Sequence, residues 1–145
     1  MARGAGQKGK LLALERIFWE QTDEAHPLSI PRLMALLQEQ GVDCRDRKSL
    51  YDDLETLRLF GLDIESRREG RGTGYYLASR QFELPELKLL VDAAQSSRFI
   101  TREKTGRLIR KLESLTSVFQ ARQLQRQVYV TGRVKAENER VYYTV

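Results

Sequence analysis

Apolar residues recur at three- and four-residue spacing in three successive stretches: Leu11, Leu14, Ile17 and Phe18; Leu33, Leu36 and Leu37; Leu50, Leu54 and Leu57. Immediately afterwards the helical period gives way to two short segments, LDIES and GYYLAS, rich in strand-forming residues. Three one-faced helices and a hairpin must bury their apolar faces against one another, which confines this part of the chain to a small layered domain. The whole sequence, 145 residues, has room for one ordinary domain or two small ones. Its 41% hydrophobic and 31% charged residues can form a core without disulfides. The single cysteine, Cys44, cannot form an intramolecular bridge, and the start MARGAGQKGK lacks the apolar run of a secretory signal. No window approaches the roughly 18 apolar residues of a spanning helix. These features predict a cytoplasmic protein that does not engage a membrane.

Local signals set the expected boundaries. Residues 1–9, glycine-rich and basic, are expected to form a flexible arm, with the first helix running from Lys10 to near Asp23 and a loop from Thr22 to Pro27. Ser29 is a natural N-cap for the second helix, Pro31 suits its first turn, and Leu28 with Leu33 can act as a hydrophobic staple. Gly41 stands where a left-handed C-terminal cap belongs. The third helix is predicted over 46–60, opened by the Asp46 carboxylate and closed by Gly61. The hairpin loop is expected to span RREGRGTG. Beyond Arg80, Leu87, Leu90, Val91 and Ala94 mark a fourth helix, and a fifth, capped by Thr101, should bury Leu108, Ile109, Leu112 and Leu115. Ser117 to Gln127 reads as a shorter helix or irregular turn. QVYVTGRV has strand character, and AENERVYYTV fits a strand or a helix capped by Asn138.

The element order predicts a mainly α fold with a small β-hairpin wing: a winged helix-turn-helix over 10–80 followed by a helical connector over 81–127. Residues 128–145 would begin a further, truncated domain. In a winged helix the third helix enters the major groove of double-stranded DNA, and the wing, here 66–74, reaches an adjacent groove or the backbone. Arg47 and Lys48 stand at the N-terminus of that helix. Arginine presents a planar donor fork that matches guanine O6 and N7, and lysine can meet guanine or phosphate. Tyr51 adds a hydroxyl for phosphate, and Arg67, Arg68 and Arg71 lie in a glycine-rich wing able to approach a backbone closely.

Net charge supports this only locally. The chain carries +5, but basic and acidic residues balance up to Arg80 and the whole excess follows it. Asp52 and Glu55 share the outer face of the third helix and repel phosphate, and Arg47 and Lys48 could be a solvated helix end. A winged helix that serves as a protein-interaction or dimerisation module is therefore the alternative. Lys104, Arg107, Arg110 and Lys111 form a second basic set, readable as the solvated side of an amphipathic helix. His26 precedes Pro27 with no ligand-type partner nearby in sequence, and Cys44 lacks a second cysteine, so neither a metal site nor a redox pair is expected. GRGTG sits between two strands and no helix follows it, unlike a phosphate-binding loop. With one histidine, one cysteine and no paired carboxylates in view, neither catalysis nor a cofactor is expected.

The blocks DRKSLYDDLETLRLFGLDIES, GTGYYLASR and FELPELKLLVDAAQSSRFITREKTGRLIRKLESL, in this order, resemble the N-terminal part of bacterial WYL-domain transcriptional regulators. The resemblance runs from Lys10 through QVYVTGRVKAENERVYYTV. It implies a DNA-binding winged helix, a helical connector, a homodimer, and an effector, a small molecule or nucleotide, bound by a C-terminal β-domain. No Trp-Tyr-Leu tripeptide occurs in this chain, and Trp19 lies in the first helix, so no effector-site residue carries over. The family's recognition positions fall on Arg47, Lys48, Ser49 and Tyr51, adding Ser49 to the residues chosen on geometry. The resemblance places Asn138 at the start of a helix.

Overall fold

A computed structural model describes residues 3–126; the predictions for 128–145, Asn138 included, lie outside them. The order of named elements is α1 (Arg3–Gln21), α2 (Ile30–Glu39), α3 (Arg47–Leu59), β1 (Ile64–Glu69), β2 (Gly72–Leu77), α4 (Leu84–Ser96) and α5 (Arg102–Glu113), and residues 118–126 are also helical. The described chain is thus mainly helical with a small two-stranded antiparallel hairpin. It divides into two compact units, one ending at Ser79 and the other beginning at Arg80. No helix among the described residues is long and apolar enough to cross a membrane.

Chemistry within a turn or two fixes the ends of the helices in the first unit. Ser29 Oγ accepts from Arg32 N at 3.2 Å and Asp46 Oδ1 from Lys48 N at 3.0 Å, each satisfying an N-H that has no partner inside the helix. Both C-termini close with the same glycine motif. Gly41 (φ 79) donates to Gln38 O while Val42 donates to Leu37 O; Gly61 (φ 110) donates to Arg58 O while Leu62 donates to Leu57 O. One expectation fails: α1 already begins at Arg3, so the segment assigned to a flexible arm is largely helix. Lys8 and Lys10 favour helix well enough for the pattern that begins at Leu11 to propagate backwards through the glycines, each of which costs only about 1 kcal/mol.

Leu14, Ile17 and Phe18 of α1, Leu33 and Leu37 of α2, and Leu50, Leu54 and Leu57 of α3 meet in one core, closed on its remaining side by Ile64 and Leu77 of the hairpin. The hairpin turn is tighter than predicted. Glu69 pairs with Gly72, so only Gly70 and Arg71 lie between the strands. Gly70 has φ 59 and Arg71 has no positive φ, the pattern of a type II′ turn, which requires glycine first.

Two fastenings join β2 to the chain before α2. Leu28 exchanges both backbone hydrogen bonds with Tyr75, each at 2.8 Å, forming a one-residue third strand. Thr22 Oγ1 donates to Phe18 O and accepts from Leu77 N at 3.0 Å, so this fully buried hydroxyl satisfies a strand N-H at the end of α1.

The second unit has its own core of Leu87, Val91, Ala94, Ile109 and Leu124. Thr101 caps α5 as predicted, with its Oγ1 accepting from Lys104 N at 3.2 Å. The buried stripe of α5 is rotated from the predicted one: Thr105 and Ile109 are buried, with Leu112 packed beside them, whereas Leu108 is 38% exposed. Thr105, Ile109 and Leu112 follow the i, i+4, i+7 rule, and the Thr105 hydroxyl is what hides this face from a count of apolar residues. Leu89, Leu90 and Phe99 are exposed, Phe99 at 99%.

Candidate nucleic-acid interface

The start of α3 carries the first group of predicted residues. Arg47 and Lys48 are exposed, and neither side chain makes a hydrogen bond or ion pair with any described residue. Their amides belong to the first turn, capped by Asp46, so the side chains leave the helix at the positive end of its dipole, where an incoming anion gains from both. Tyr51 follows one turn later, 46% exposed, on the flank nearest the hairpin. Burial, with Tyr51 beside it, raises the phenol of Tyr75 above its usual 10.0, and this neighbourhood joins α3 to β2 on one side of the unit.

Ser49 is turned the other way. Its Oγ accepts from Lys10 Nζ at 2.8 Å, and the same ammonium lies 2.7 Å from Asp53 Oδ2. Ser49 and Asp53, one turn apart on α3, together hold a lysine side chain that is only 4% exposed. A buried ammonium requires such partners, so the half-buried Ser49, a recognition position by the family resemblance, has its hydroxyl engaged with α1. The sequence signal for Lys10 was its position one residue before the apolar pattern of α1. The pairing with α3 had no local signature.

The hairpin arginines separate by strand alternation. Arg68 pairs with Thr73 and shares a sheet face with Ile64 and Tyr75, the face towards the core and Tyr51; Arg67 pairs with Gly74 and shares the opposite face with Tyr76. Arg68 and, in the turn, Arg71 are exposed, and neither side chain has a hydrogen-bond or ion-pair partner among the described residues. Arg67 is engaged within the chain. Its Nη1 donates to Glu24 O, its Nε donates to Glu69 Oε1 at 2.8 Å, and its guanidinium lies 5.8 Å from the centre of the Tyr76 ring. It ties the loop after α1 to the back of the hairpin and differs in role from its neighbour.

Charge on the outer face of α3 is partly compensated. Glu55 accepts from Arg58 Nη1 at 2.5 Å, and Arg58 Nε donates to Ile64 O at 2.9 Å, so one arginine neutralises the carboxylate and pins the start of β1 to α3. Asp52 remains exposed on this face. His26, predicted to lack a partner, has one: its Nδ1 is 2.7 Å from Asp23 Oδ1, which also accepts from Ala25 N at 3.0 Å. Asp23 thereby organises the turn after α1, a structural explanation of this histidine. A residue not singled out from the sequence, Arg32, is exposed in the first turn of α2 and lines a groove with Thr73 of the hairpin. Its one sequence signal was proximity to the Ser29 cap. No protein-family model matches this chain, and neither the curated proteins nor the solved structures searched contain a match.

Proposed function

We propose that the first unit is a winged helix that binds double-stranded DNA as a transcriptional regulator, with α3 in the major groove and the β1–β2 hairpin as its wing. The observation that carries this reading is the pair of exposed cations, Arg47 and Lys48, whose side chains have no partner among the described residues, at the N-terminus of a helix flanked by the hairpin that bears Arg68 and Arg71. Side chains at the start of a groove-entering helix meet base edges, and cations on a hairpin meet phosphates. Tyr51, one turn further along α3, lies beside Tyr75 of the hairpin. Arg67 supports the wing from behind, and Ser49 orients α3 through Lys10.

The second reading, a protein-interaction module, draws on Asp52 and on Leu59 and Phe60, which are exposed at the far end of α3. A salt titration with random-sequence duplex separates the two. Phosphate neutralisation releases counterions, so affinity for DNA falls steeply as salt rises, whereas a protein platform binds the duplex little at any salt. Arg47→Ala with Lys48→Ala is expected to weaken duplex binding roughly tenfold or more and to lower the salt slope by about 1 to 2. The melting temperature should stay unchanged, because both side chains lie outside the Leu50, Leu54, Leu57 core. Equal affinity in parent and variant refutes the assignment of α3.

A further inference from the structure

The excess positive charge of this chain falls after Arg80, and α5 concentrates much of it: Arg102, Lys104, Arg107, Arg110 and Lys111 against Glu103 and Glu113. Lys104, Arg107, Arg110 and Lys111 recur at three- and four-residue spacing on the side opposite the buried Thr105 and Ile109, and all four are exposed. Arg107 Nη2 is paired with Glu103 Oε1 at 2.7 Å. Lys104, Arg110 and Lys111 have neither a hydrogen bond nor an ion pair from their side chains among the described residues. Helix stability does not account for the arrangement. Arg110 and Lys111, in the last turn, complement the helix dipole, but Arg102 and Lys104 stand in the first turn, where the dipole disfavours cations. A run of like charge along one exposed face also repels itself unless an anion lies against it.

We propose that this face of α5 is a second contact surface for the phosphates of double-stranded DNA, adding affinity that does not depend on sequence. Four cations spaced along about two turns of one helix suit a regularly charged backbone. The surface carries little apolar area apart from Leu108 with which to dock a folded partner. The inference rests on the reading of the first unit as a DNA-binding domain, and its test separates the two.

The full chain is titrated with random-sequence duplex between 50 and 200 mM salt, a range over which phosphate neutralisation dominates affinity, in four forms: unchanged, Lys104→Gln/Arg110→Gln/Lys111→Gln, Lys104→Arg/Lys111→Arg, and Arg47→Ala/Lys48→Ala. Every phosphate left without its cation lowers the slope of log affinity against log salt by roughly 0.9, so the glutamine variant is expected to have a slope smaller by about 1 to 3. Lys104→Arg with Lys111→Arg should keep the parent slope. Helical circular dichroism should match the parent in every case, because the substituted side chains point away from the core. If the parent binds, the α3 variant is weakened and the glutamine variant keeps the parent slope, the α5 surface is excluded while the α3 reading stands. If the parent does not bind duplex at all, both fall together.

Discussion

Lys10 shows how much one side chain can govern. Its ammonium is almost wholly withdrawn from water, and the pairing with Asp53 and the hydrogen bond to Ser49 join α1 to the helix whose exposed start carries Arg47 and Lys48. Removing one member of a buried ion pair leaves the other without compensation, at a typical cost of about 3 to 5 kcal/mol. Asp53 retains some contact with water, so Lys10→Met should lose about 3 kcal/mol, the lower end of that range, read as a fall in the midpoint of urea denaturation. Adding Asp53→Leu should restore most of the loss, because a matched apolar pair has no charge to desolvate. A single variant that unfolds at the parent midpoint would show that the pair does not hold α1 to α3. Ser49 entered the sequence analysis through the family resemblance, and nothing local to the helix start tells whether its hydroxyl points to solvent or to another element. The Lys10 side chain decides between them.

Among the elements, the hairpin depends most on close approach. A Cβ built on Gly74 would lie 2.7 Å from Pro27 Cβ and 3.0 Å from Glu69 Cγ, and the proline ring cannot rotate away. At Gly72 the nearest atom is Glu69 O at 4.0 Å. Gly74→Ala should therefore destabilise the first unit by about 1 to 3 kcal/mol, the usual cost of overpacking, which corresponds to a melting temperature lower by at least about 4 °C. Gly72→Ala should change it little. Equal melting temperatures for the two variants would mean that the packing of Pro27 on the hairpin is loose. This packing matters beyond stability, because Pro27 adjoins Leu28, whose bridge to Tyr75 sets the hairpin beside α2. The paired segments LDIES and GYYLAS were legible from their strand-forming residues. The short turn was not, because the glycines and arginines of RREGRGTG read as loop until Glu69 is seen to pair with Gly72.

At the level of the whole molecule, the second unit leaves Leu89, Leu90 and Phe99 in water. We propose that a second copy of the chain covers them, forming a homodimer that presents two α3 helices to half-sites about 34 Å, or a multiple of it, apart. Light scattering over a concentration series should then show mass rising towards twice that of the monomer. A strict monomer at high micromolar concentration, with these residues mutated to serine to no effect, would reject the surface as a dimer interface. The caps at Ser29, Asp46 and Thr101, the glycine stops at Gly41 and Gly61, and the apolar faces of the first three helices were legible in the order of residues alone, because each arises from groups within a turn or two of one another. Packing across the fold settles that Lys10 is buried, that the Ser49 hydroxyl meets α1, that the Arg67 side chain is engaged while that of Arg68 has no partner among the described residues, and that Thr105 replaces Leu108 in the core. Those outcomes depend on which polar group arrives across space to satisfy a charge or a hydroxyl, and residues distant along the chain supply it.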